Sequence, residues 1–212
     1  MLVAVGARGL PATWPQTPIN RSVDPRIERS RQVILRAALE ELGDVGYGAF
    51  TIESVATRAG VGKSTIYRHW PDKLDLIAGA FETLHEEMAP DLVTGSPRQR
   101  TERILRHVAE MVVDSTFSAC IPALIDAAER DPHLRRFHHE FQSEARKPLV
   151  EVIAEGIAAG DFPAHVDPEL AAFGLLGAIF FQRLMTPKPF DPERARELVD
   201  ALISVPPALP GS

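Results

Sequence analysis

The chain has 212 residues, 45% apolar and 25% charged, with a formal net charge of −6. That length can bury the core of one or two domains, and the composition excludes disordered, collagenous and disulfide-stapled classes. The longest uncharged apolar run, Leu170 to Phe181, falls short of the ~20 residues that span a bilayer, so no membrane partner is expected.

The start, MLVAVGARGL, has an apolar patch but no basic stretch before it and is not read as a signal peptide. The single cysteine, Cys120, rules out an internal disulfide and fits a cytoplasmic location. Charge is unevenly placed. Residues 1–71 hold nine Lys/Arg against six Asp/Glu, and residues 72–212 hold 14 against 23. A mildly basic head on an acidic body suits a head that approaches phosphates.

Residues 1–25 contain Pro11, Pro15, Pro18 and Pro25 without sustained periodicity and read as a disordered N-terminal arm. A displaced start codon is the other reading. From Arg26 to about Gly43, Leu35, Ala38, Leu42 and Val45 recur at helical spacing, and Gly43, Gly46 and Gly48 are expected to end that helix. Thr51 can cap a second helix with Ile52, Val55, Ala56 and Ala59 on its apolar face. Gly60-Val61-Gly62 is a turn, and a short helix from about Lys63 to Trp70 stops at Pro71. From Lys73 a longer helix carries Leu74, Ile77, Phe81, Leu84 and Met88.

After a linker from Ala89 to Pro97, five more helical stripes follow. They are Ile104/Val108/Met111/Ser115, then Ile121/Leu124/Ile125/Ala128, then Leu134/Phe137/Phe141/Ala145, which runs on to about Ala159. Pro148 lies inside the third and is expected to kink or split it. Leu170/Phe173/Gly177/Phe180/Leu184 and Ala195/Leu198/Val199/Leu202 mark the last two. No alternating strand pattern and no repeat of about 20 to 50 residues is present. The expected fold is all-α with about nine helices. By pattern it divides into a disordered arm 1–25, a first helical group 26–72, a longer helical body 73–205, and a loose tail 206–212.

The informative stretch runs from Gly46 to Lys73. Two short helices joined by a glycine-containing turn make a helix-turn-helix pattern. The second helix is about 10 Å long, too short to contribute much core. Its inner residues are Ile66 and Trp70, and its remaining surface is Lys63, Ser64, Thr65, Tyr67, Arg68 and His69, with no carboxylate. Donors on a short helix whose N-terminal end is positive suit a phosphate-lined major groove.

The string from Thr51 to Lys73, T-I-E-S-V-A-T-R-A-G-V-G-K-S-T-I-Y-R-H-W-P-D-K, resembles the DNA-binding signature of the tetracycline-repressor (TetR) family, and the resemblance covers about Arg26 to Met88. It implies a homodimeric regulator, most often a repressor, that binds a palindromic double-stranded operator and is released by a small molecule. Residue by residue, it implies that Thr51 caps its helix and touches phosphate. Lys63, Ser64 and Thr65 face bases or phosphates. Tyr67 places its hydroxyl on phosphate while its ring packs between helices, or is largely core. Arg68 pairs with guanine, or reaches only phosphate. His69 contacts phosphate, or caps its own helix. Lys73 clamps the backbone.

The stretch from Asp167 to Ile203 is similar to the last two helices of one subgroup of that family, which pair with their copies across a two-fold axis. The implied interface residues are Phe173, Gly177, Phe180, Phe181, Leu184, Leu198 and Leu202. A helix apolar on every side needs partners on every side, although burial within one chain remains the alternative. The family's effector pocket lies among the middle helices. Candidates are Met111, Phe117, Cys120, Leu124, Phe141 and Phe173, with His107, His138 and Gln142 as polar neighbours. Each apolar candidate is also readable as plain core. Their chemistry suggests a hydrophobic effector.

No HxxxH or CxxC spacing is present, so no metal is expected. Gly60 to Thr65 resembles part of a phosphate-binding loop, but it lacks that loop's first glycine at the required spacing and no strand precedes it. No catalytic triad or carboxylate pair is readable, so neither enzyme activity nor a cofactor is expected. The competing reading is a helical interaction or ligand-binding protein whose helix-turn-helix no longer binds DNA. The intact donor set on residues 63–73 argues against it.

Overall fold

The computed structural model describes residues 25–87, 94–113 and 115–203. The arm before Pro25, the side chain of Leu84, Met88, most of the linker and the tail 206–212 lie outside the described residues. The helices are α1 (Pro25–Ala49), α2 (Ile52–Ala59), α3 (Lys63–Tyr67), α4 (Lys73–Glu87), α5 (Pro97–Val113), α6 (Thr116–Arg130), α7 (Pro132–Ala159), α8 (Pro168–Met185) and α9 (Ala195–Ile203). A short 3-10 turn, Pro192–Arg194, leads into α9. The class is all-α, as the periodicity predicts, with nine α-helices among the described residues.

In α1, Leu35, Ala38 and Leu42 are buried as expected, while Val45 is exposed. The helix does not stop at Gly43. It continues to Gly46, where φ 70 and ψ 169 break it in a region glycine tolerates. Gly43 has a packing role instead, since a Cβ there would lie 3.1 Å from the Cβ of Ala119 on α6. Thr51 caps α2: its Oγ1 accepts from the Ser54 amide at 3.1 Å, and Ser54 Oγ accepts from the Thr51 amide at 3.3 Å. Gly60, at φ 67, closes α2 in the left-handed region.

The third helix is shorter than its pattern suggests. It ends at Tyr67, and Arg68 and His69 form a turn before Trp70. Ile66 and Trp70 are buried as expected. Ser115 does not extend the stripe of α5; it caps α6, accepting from the Ser118 amide at 3.1 Å. Ile125, placed on the inner face of α6 by spacing, is exposed. Pro148 does not split α7: one N–H is missing, and the helix continues on the buried Leu149, Val152 and Ile153.

The head, α1 to α3, sits on the body through two routes. One is α4, which runs on from the head and packs against α1 and α7; the other is α6, which docks along α1. In the body, α5 is surrounded by α6, α7, α8 and α9. One hydrophobic cluster extends from Ile34 to Ile203, so head and body share a core. At their junction Phe81 of α4 is fully buried, with ring centroids 6.1 Å from Phe117, 6.2 Å from Phe137 and 5.5 Å from Phe141. The edge-on arrangement is the one aromatic quadrupoles favour.

Helix α8 has two apolar faces. Ala172, Leu175 and Ile179 point inward and are buried. Leu170, Phe173, Phe181 and Met185 point outward, at 72%, 56%, 63% and 70% exposure. Leu202 of α9 adjoins them in character at 49%. Among the described residues, no single helix is long and apolar enough to cross a membrane.

Candidate nucleic-acid interface

The short α3 is held from behind. Ile66 and Trp70 anchor it in the core, and α2 packs beside it. α2 is in turn fixed to α1 by Arg58, whose Nε donates to Glu41 Oε2 at 2.9 Å and whose Nη2 donates to Asp44 Oδ2 at 2.8 Å. Glu41 is buried, so this pair is shielded from solvent on one side. The result is a rigid mount for a helix too short to hold itself.

The expected donors fall on the outward side of that mount. Lys63, Ser64, Tyr67 and Arg68 are exposed, and Thr65 is half-buried. Tyr67, at 48% exposure, is not core. Arg68 makes no ion pair among the described residues. Lys63 does: its Nζ donates to Glu53 Oε1 of α2 at 2.9 Å, and that bond holds the Glu53 carboxyl below its ordinary range. His69 is half-buried, with its ring 5.5 Å from that of Trp70.

Thr51 is exposed at the start of α2, with its hydroxyl engaged in the cap. Lys73 opens α4, 3.9 Å above the ring of Tyr47, and donates to the Tyr47 carbonyl at 3.4 Å. This joins the first turn of α4 to the end of α1 by a cation–π contact. Burial pushes the Tyr47 phenol up from its ordinary value. The supporting residues Tyr47, Arg58, Glu41, Asp44 and Glu53 were not among the sequence-predicted site residues. For Tyr47, Glu53 and Arg58 the signal was present, since all three lie within the motif-bearing stretch.

Because Thr51 donates no packing, its contribution is separable. Thr51→Ala removes the reciprocal cap and is expected to cost about 1 kcal/mol, lowering the thermal midpoint by about 2–4 °C. Calorimetry of the full chain checks this. An unchanged midpoint would mean that solvent satisfies the freed amide equally well.

The effector candidates divide. Phe117, Leu124 and Phe141 are buried in the core, and Met111 is half-buried against it. Cys120 is fully buried, its thiol directed at the Leu39 carbonyl of α1 at 3.0 Å. Burial pushes that thiol up to about 12, which makes it unreactive at neutral pH. Phe173 does not join them. It lies on the outward face of α8 beneath the Arg146 guanidinium, 4.1 Å from the ring centre.

Of the polar neighbours, His138 approaches Gln142 at 3.4 Å, and burial followed by His139 lowers its pKa. Among the described residues, the buried Nε2 of His107 has no hydrogen-bond partner. A cleft of about 380 Å³ opens elsewhere, between Leu35, Arg36, Leu39 and Glu40 of α1, Ala80 and Thr83 of α4, and Thr116 of α6. None of the six effector candidates lines it. No group of His, Cys, Asp and Glu among the described residues is placed to hold a metal ion.

An anchored short helix bearing cationic and hydroxyl donors, carried by a capped partner helix, defines a helix-turn-helix DNA-binding protein. Residues 34–80 match the family described as bacterial regulatory proteins, tetR family, and residues 89–202 match the tetracyclin repressor-like C-terminal domain. The chain belongs to the TetR family of transcriptional regulators.

It is 29% identical over 178 residues to the helix-turn-helix regulator YdeS of Bacillus subtilis (strain 168), covering 82% of this chain and 88% of the relative. It is 28% identical over 186 residues to the DNA-binding transcriptional repressor TetR of Mycobacteroides abscessus, covering 85% and 95%. In fold it is similar to the transcriptional regulator FadR from Bacillus subtilis, solved with stearoyl-CoA, at a TM-score of 0.68 and 21% identity, over 81% of this chain and 97% of that one.

Proposed function

We propose that this chain is a homodimeric repressor that binds a palindromic operator and is released by an apolar small molecule. The observation that carries the DNA-binding part is the surface of residues 63–68: its donors point outward while Ile66 and Trp70 anchor the backbone. In this reading Arg68 reads guanine, Lys63 and Ser64 reach bases or phosphates, and Tyr67, His69, Thr51 and Lys73 contact the backbone. The exposed apolar face of α8 and α9 supports the dimer. Two-fold symmetry would set the recognition helices about 34–36 Å apart, one turn of DNA.

The effector reading is supported by the apolar side chains of the body and by the acyl-CoA bound in the FadR structure. A ligand that prefers a conformer with misplaced heads lowers operator affinity by its differential affinity for the two states. A gel shift with the DNA upstream of the chain's own gene tests the reading. No retardation at low salt, with no effector added, would favour an interaction protein that has lost DNA binding. Arg68→Ala is expected to weaken specific binding by about 1–3 kcal/mol while leaving the oligomeric state intact. An equal loss on random DNA would assign Arg68 to phosphate alone.

A further inference from the structure

The backbone of α8 packs on α5, α7 and α9, and that of α6 packs on α1, α5 and α7. One side chain bridges them. Arg183, near the end of α8, donates from Nε to Ser118 Oγ at 2.6 Å and from Nη2 to the Ser118 carbonyl at 3.2 Å. Ser118 lies in the first turn of α6 and is buried. Its hydroxyl donates onward to the Val112 carbonyl of α5 at 2.7 Å, so its oxygen is the acceptor for Arg183. A guanidinium with two bonds to one residue fixes direction as well as distance.

The next contacts lead to the head. Two residues after Ser118, the Cys120 thiol meets the Leu39 carbonyl of α1. Ala119 fills the notch left by Gly43, also on α1. The same stretch of α1 carries Glu41 and Asp44, which hold Arg58 at the end of α2. Arg183 itself lies four residues beyond Ile179, on the inward stripe of α8, opposite the apolar face that carries Phe173 and Phe181. One helix therefore presents its outer side to a partner copy and its inner side, through Arg183, to the helix on which the head rests.

We propose that Arg183 is a positioning residue for DNA binding: by tying α8 to the first turn of α6 it fixes the angle at which each head is carried, and so the spacing of the two recognition helices. This rests on the dimeric operator-binding reading above. The tie is a discrete polar contact between two helices, the kind of contact through which a side chain can couple distant parts of a fold.

The test uses the full chain with Thr57→Cys on the exposed side of α2, spin-labelled; Cys120 is buried and stays unlabelled. Pulsed dipolar spectroscopy then reads the distance between heads in the dimer. The wild-type background is expected to give one narrow distance, and Arg183→Gln a broadened or shifted one. The same proteins are titrated with the palindromic duplex that the wild type selects from a randomised pool, and with that duplex carrying two extra base pairs at its centre. Discrimination between the two is expected to fall about 3- to 30-fold in Arg183→Gln. Arg183→Lys, which keeps a donor to Ser118, recovers part of it.

Where Arg183→Gln lowers the midpoint, Ser118→Ala carries the test: it removes the Arg183 Nε bond together with the Ser118 bond to the Val112 carbonyl, and keeps the Arg183 bond to the Ser118 carbonyl. A narrow distance and full discrimination in both variants would overturn the proposal. A monomeric wild type, or one that selects no palindrome, would overturn the dimeric reading and this inference with it.

Discussion

Phe81→Ala is expected to lower the thermal midpoint of the full chain by about 6–20 °C, from a loss of about 3–5 kcal/mol. The ring is fully buried and touches three other aromatic rings, from α6 and from two turns of α7. Truncation leaves a cavity that these rings cannot collapse into, because each is itself held by its own helix. The position also matters for coupling. Phe81 sits on α4, the helix that continues from the head, so the lost contacts are those that bind head to body. Phe81→Leu keeps most of the volume and is expected to cost less than half as much. Calorimetry on both variants separates the readings: a drop under about 2 °C for Phe81→Ala would mean that the cluster repacks freely.

The helix count and the helix-turn-helix were legible because both are written in short-range terms. Spacing placed Ile52, Val55 and Ala56 of α2 and Ile77 and Phe81 of α4 in the core, and Thr51, Gly60 and Pro71 bounded the turn through local backbone chemistry. The failures were equally physical. Gly43 read as a helix stop, but its reason for being glycine is Ala119, far along the chain. Pro148 read as a break, and tertiary burial of the following turn outweighed one missing hydrogen bond.

The supporting residues of the site were hidden for the same reason. Arg58 is one charged residue in a helix until Glu41 and Asp44 are brought beside it from α1. Phe173 served two expectations at once, effector wall and interface, because periodicity places a residue on a stripe without saying which side of the molecule the stripe faces. Of the stripe Leu170/Phe173/Gly177/Phe180/Leu184, the first three are exposed, while Phe180 and Leu184 are half-buried against the core. The inner face is a different one, built on Ala172, Leu175 and Ile179.

That outward face underlies the second large effect. Phe181→Glu is expected to convert the dimer to a monomer at micromolar concentration and to weaken operator binding by about 100-fold or more. In a two-fold interface each substitution appears twice, so two carboxylates enter the same apolar patch. Like charges brought together there cost several kcal/mol. Phe181 is the better probe than Phe173, since Arg146 stands over Phe173 and a carboxylate there would gain a cation. In a single chain Phe181 is mostly exposed, so the substitution leaves the intrachain core intact. Sedimentation and circular dichroism are therefore expected to part company: the mass halves while helicity and the cooperative unfolding remain. Operator affinity falls because a lone head loses the high local concentration that its tethered twin provides. A variant that stays dimeric with full affinity would move the interface off this face. A variant that unfolds would show that the face is covered within the chain itself.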